Sequence, residues 1–163
     1  MKKLSGTGIK VLKIVHLIFA FMWFVGALGI MLLLTTLSTQ ESHELYMRSL
    51  ATKRLDDLLI IPGAIGCLLT GIIYGVWTNW GFFKHRWLTV KWILTIAAIL
   101  FGTFIMGPWV DGNIYEDVTK YTMDNSEFFS NVHNTIVWGG VQILALLFMI
   151  VISVLKPWRG KQP

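Results

Sequence analysis

The chain has 163 residues, 55% hydrophobic and 13% aromatic, and a formal net charge of +5. With a mean hydropathy of +0.63, this composition excludes a soluble globular domain and a disordered chain, and it indicates a single integral membrane domain over 1–163.

A spanning helix needs about 20 mainly apolar residues, and four stretches qualify: 14–37, 58–77, 87–109 and 132–155. The predicted fold is therefore all-α, a four-helix transmembrane bundle running up-down-up-down. Lys2, Lys3, Lys10, Lys13, Lys84, Arg86, Lys156, Arg159 and Lys161 fall on one side of it, and all 9 acidic residues fall on the other. By the positive-inside rule both termini and the Lys84 turn are expected in the cytoplasm, with the chain multi-pass in the cell membrane. The basic residues are topology signals and head-group contacts, so they imply the lipid bilayer as partner and no nucleic acid.

The basic start of the first span resembles a signal peptide. Its apolar run exceeds the usual core of about 7–15 residues, and the stretch is read as a retained span. His16, Ala20, Trp23 and Ala27 form one stripe of this helix, flanked by Gly26 and Gly29. Residues 39–56 read as an outward polar loop, after which Asp56 and Asp57 suit the start of the second helix. Pro62 lies just inside that helix. Gly63, Gly66, Gly71 and Gly75 thin one side of it, a face for a packing partner such as a second copy in a homo-oligomer. Cys67 is the sole cysteine, which excludes an internal disulfide and a CxxCH haem attachment.

Residues 79–86 are expected to form a hairpin turn. In the third span Lys91 shares a stripe with Trp87, Thr95, Ala98 and Gly102. A cation there costs roughly 3 kcal/mol at the bilayer centre and less near an interface, so it calls for a purpose. Gly107-Pro108 should end or kink this helix. The acidic loop 111–131 carries Tyr115, Tyr121, Phe128 and Phe129, an expected interfacial lid. The fourth span begins near Asn131-Val132-His133-Asn134 and closes at Lys156-Pro157-Trp158. His43 and His85 are placed in loops. Of the 8 tryptophans, Trp77, Trp80, Trp87, Trp109 and Trp158 mark span ends, whereas Trp23 is deep.

His16 and Lys91 lie at similar depth near the cytoplasmic end. His133, at the outer end, is more than about 20 Å away and cannot share an iron with His16. A neutral imidazole on an apolar stripe suits haem ligation, and Trp23 with the small residues suits a flat ring. Lys91 is then a second axial ligand or a cation for a propionate. The alternative is that both residues snorkel separately to the head groups. A second candidate is the outer group Arg54, Asp57, His133 and Asn134, with Asn131 beside it, read either as a ligand mouth or as ordinary polar capping. No P-loop, dinucleotide fingerprint, HExxH or nucleophile elbow stands in a credible context, which disfavours a hydrolase or kinase.

The opening Lys13-Ile14-Val15-His16-Leu17-Ile18 and Trp23-Phe24-Val25-Gly26 resemble those of the HemJ-type protoporphyrinogen oxidases and related small four-helix membrane proteins of unknown function. Arg54-Leu55, Pro62-Gly63-Ala64 with Gly71, Trp87-Leu88-Thr89-Val90-Lys91, and the Lys156-Pro157-Trp158 end are similar too. The resemblance covers most of the chain in order. It implies a b-type haem with His16 as metal ligand and Lys91 as the essential second residue. It also implies porphyrin oxidation coupled to a membrane electron acceptor. The rival expectation is a non-enzymatic accessory or small-ligand-binding protein using the Arg54/Asp57/His133 group.

Overall fold

The computed structural model describes residues 3–36, 41–78, 81–121 and 124–157, and among them every regular element is helical. Four helices are long and apolar enough to cross a membrane: α1 (Gly6–Thr36), α2 (Ser42–Trp77), α3 (Arg86–Asp111) and α4 (Ser126–Leu155). The expected end of the first span at Leu37, and Trp80, Trp158, Lys2, Arg159 and Lys161, lie outside the described residues.

All four helices outrun the apolar stretches that announce them. α1 starts at Gly6 because the Ser5 hydroxyl accepts from Gly8 N–H at 3.2 Å, closing the first turn. α4 starts at Ser126 because Asn125 Oδ1 accepts from Phe128 N–H at 3.1 Å. The largest departure is α2. The expected outward loop is helical from Ser42, so His43 sits in a helix, and Asp56 and Asp57 lie within α2 instead of opening it. At 1.5 Å per residue its 36 residues reach about 54 Å, well past a hydrocarbon core of ~30 Å, which leaves the Ser42–Leu55 part outside the membrane. Hydropathy marks only the part a membrane must hide.

Two π-helical turns interrupt the helices, at Asp56–Ile60 in α2 and at Gly102–Met106 in α3. Each stands just before a proline, Pro62 or Pro108. Proline supplies no N–H and its ring crowds the carbonyl four residues back, so the chain widens by one turn and then resumes its helix. The kink expected at Gly107-Pro108 is this wide turn, and α3 continues to Asp111.

α1 and α2 pack antiparallel. As α1 advances from His16 through Trp23 to Gly29, its partners on α2 retreat from Thr70 through Gly63 to Leu55. Gly63 makes this approach possible: a Cβ there would stand 2.6 Å from the Trp23 backbone nitrogen. At Gly66 it would collide with the Phe19 ring. The glycine face expected to receive a partner is thus used within the chain. α3 and α4 are likewise antiparallel, through Lys91 with Ser153, Thr95 with Met149, and Phe101 with Trp138.

Two cores result. One joins Trp23, Ala64, Cys67, Leu146 and Met149 inside the bundle. The other joins Leu45, Tyr121, Phe128 and Val132 at the acidic end. Tyr121 and Phe128 are fully buried there, so the expected aromatic lid is a packed cap braced by the outer part of α2. Tyr121 Oη also accepts from Tyr115 N–H at 2.8 Å.

Candidate functional site

Near the end of the bundle where α1 begins, α1, α2, α3 and α4 each contribute a polar side chain. Leu4 N–H bonds Trp77 O at 3.0 Å, so the start of the chain and the end of α2 share this level. His16 Nδ1 lies 2.7 Å from Thr70 Oγ1. The Thr70 hydroxyl has one proton, and the Gly66 carbonyl at 2.6 Å takes it. Its oxygen is then the acceptor, Nδ1 carries the imidazole proton, and Nε2 keeps a free lone pair. Tyr74 meets the half-buried ring edge-on, with centroids 6.0 Å apart. A ring oriented and tautomer-locked through one nitrogen is the usual condition of a metal-ligating histidine.

Lys91 projects from α3 and donates to Ser153 Oγ at 2.6 Å, and Ser153 donates on to Met149 O at 2.6 Å. No carboxylate pairs with Lys91 among the described residues. The helices that carry His16 and Lys91, α1 and α3, stand diagonally across the bundle. The two residues singled out from sequence thus lie toward the same end of the bundle, each bonded to a different helix, His16 to α2 and Lys91 to α4. An imidazole with a free nitrogen can hold a metal, and an ammonium without a carboxylate can hold an anionic group. The cavity inside the bundle reaches neither residue.

That cavity lies outward of the cluster. It is a chamber of about 390 Å³ bordered by all four helices. Trp23 borders it, seven residues from His16 and so about 10 Å further along α1. Trp23 thus walls this chamber, and it lies two turns from the imidazole it was expected to accompany. At the chamber's acidic end stand Lys53, Asp56 and Asp111. Lys53 Nζ holds Asp57 at 2.6 Å and Asp111 at 2.9 Å, bridging α2 to the end of α3.

The outer group proposed from sequence does not assemble as such. Arg54 and His133 are exposed, and Asp57 is held by Lys53 instead of Arg54. Asn134 is half-buried, while its neighbour Asn131 donates to Asn113 Oδ1 at 3.2 Å. Sequence reasoning missed Thr70, Ser153, Lys53 and Asp111. Thr70 was within reach, since it continues the Gly63 and Gly66 face by one turn. Asp111 was not, because the π turn in α3 rotates everything after it out of regular helical register.

Comparison with curated proteins and with solved structures found no match. Residues 10–159 match a protein family described as predicted integral membrane protein (DUF2269). That match covers nearly the whole chain and all four spans, and the protein belongs to this family of multi-pass membrane proteins.

Proposed function

We propose that this membrane protein carries a b-type haem and serves in redox chemistry, with His16 Nε2 as axial ligand. Lys91 is the second ligand or the cation for a propionate. The observation that carries the reading is the His16–Thr70 bond of 2.7 Å, which fixes the ring and frees Nε2. Lys91 supports it, because a cation kept within a span without a carboxylate calls for an anionic partner, and as the neutral amine it is a metal ligand.

Bound haem supplies one-electron chemistry, and the protein tunes it through ligand identity and burial. The chain's own work is to hold the ring by Thr70, to hold the ammonium by Ser153, and to exclude water with the apolar core beside them. The resemblance to HemJ-type oxidases gives the specific version, porphyrin oxidation with electrons passed to a membrane acceptor. Those enzymes carry an arginine and a Tyr-His pair late in the first span, where this chain reads Met31-Leu32-Leu33-Leu34-Thr35-Thr36-Leu37. The haem reading is accordingly broader than the oxidase reading. Positive-inside sorting puts the site at the cytoplasmic end.

The test is the absorption spectrum of the purified protein, oxidised and dithionite-reduced, with a pyridine haemochrome assay. A stoichiometric b-type signal that disappears in His16→Ala is expected. A full signal in that variant refutes the ligand assignment, and a colourless protein after haem addition refutes the proposal.

A further inference from the structure

The outward chamber is independent of the haem reading, and several observations bear on its occupant. Its volume, about 390 Å³, falls within the roughly 300–1,000 Å³ of small-molecule sites. Its walls are largely aliphatic, with Ala27, Ile30, Ile60 and Ile99 among them. Trp23 borders it at 2% exposure, and its Nε1–H has no hydrogen-bond partner. Buried donors are almost always partnered, so this one points to an acceptor supplied from elsewhere.

Both π-helical turns contribute to the chamber, Asp56 and Ile60 from one and Gly102, Thr103 and Met106 from the other. Such turns are frequent at functional sites.

Access and charge narrow the choice. Ile61 and Ile65 of α2 border the chamber and are 43% and 50% exposed. On α3 only Trp87 and Val110, near its two ends, are buried, and between them it is loosely packed. The side between α2 and α3 therefore faces lipid with little holding it shut. At the acidic end the single cation, Lys53, already holds two carboxylates, and Asp56 adds a third acidic group. That end repels an anion, which excludes a fatty acid or a head group of net negative charge.

We propose that the chamber binds an uncharged, lipid-soluble molecule with an apolar body and a carbonyl acceptor for Trp23 Nε1–H, of the quinone-headgroup class, entering sideways between α2 and α3. An ester carbonyl of a phospholipid offers the same acceptor chemistry, so the two sources are separated by experiment.

The full chain in maltoside micelles, without added haem, is photolabelled by a diazirine-bearing decylquinone. Labelling is expected on α2 around Ile61 and Ile65 and on α3 around residues 98–107, and unlabelled decylubiquinone is expected to abolish it. Trp23→Phe should weaken decylubiquinone roughly 2- to 12-fold, the worth of one hydrogen bond, and leave decylbenzene, which lacks the carbonyl, unaffected. A purely structural role for Trp23 would weaken both. A Cβ at Gly102 meets nothing within 4 Å, so Gly102→Leu has room to enter and should lower quinone affinity at least tenfold. Should that variant fail to assemble, the competed labelling map of the unmodified chain and the Trp23→Phe comparison decide. Dioctanoyl-phosphatidylcholine competing better than decylubiquinone overturns the quinone class. Uncompeted labelling, or quinone affinity unchanged in Trp23→Phe, overturns the proposal.

Discussion

Gly63→Ala adds a methyl group where α1 and α2 touch backbone to backbone. Its Cβ would meet Trp23 N at 2.6 Å, Phe19 O at 2.8 Å and Trp23 Cα at 2.9 Å. None of these is the movable end of a side chain, so the two helices have to separate. Helix propensity alone favours Ala over Gly by up to about 1 kcal/mol. Overpacking of a close interface costs about 1–3 kcal/mol, and against main-chain atoms the upper part of that range applies. The net expectation is a loss of about 1–2 kcal/mol, since the propensity gain offsets part of the clash. Gly140→Ala is the control: its Cβ meets only the flexible Met31 Cε, at 3.6 Å, and the change should be neutral or slightly stabilising. Steric-trap unfolding in bicelles, with both variants measured against the parent, reads the difference. Equal stability of Gly63→Ala and the parent would refute the close α1–α2 packing, and with it the register that sets Thr70 beside His16.

Three further outcomes test other parts of the structure. Thr70→Val removes the acceptor from His16 Nδ1 while keeping the side-chain shape, and haem affinity should fall by about 10- to 100-fold, measured by haem transfer to apomyoglobin. Asn125→Ala removes the cap of α4 and should cost about 1 kcal/mol, seen as faster hydrogen exchange at Phe128 N–H with the middle of α4 unaffected. The Thr119 hydroxyl and backbone N–H both donate to Asp117 and hold its carboxyl below the usual carboxylate range. A lowered folded-state value means that this turn's cap persists above the ordinary range and is lost as pH falls through the lowered one. Carboxyl NMR titration should show Thr119→Ala moving Asp117 back up.

The membrane class, the four spans and their alternating direction follow from the sequence alone, because the bilayer imposes a length and charges sort to its two sides. His16 and Lys91 stand out in the sequence for a related reason. Each is a polar residue where hydrocarbon penalises it, and each lies a few residues into a span, α1 or α3, that runs in the same direction. Tertiary structure decided the rest. Thr70 and Ser153 are ordinary polar residues until packing turns them toward His16 and Lys91. Lys53 belongs to Asp57 and Asp111, and not Arg54 to Asp57, because α2 is already helical from Ser42 and passes through a π turn at Asp57, and α3 reaches Asp111 only after a π turn of its own. Hydropathy carries no information about helix that extends beyond the bilayer, and periodicity fails across a turn that breaks the period. The chamber beside Trp23 is likewise a product of packing. It exists because glycines draw α1 onto α2 while α3 stands off, and no single segment of sequence records the space left between them.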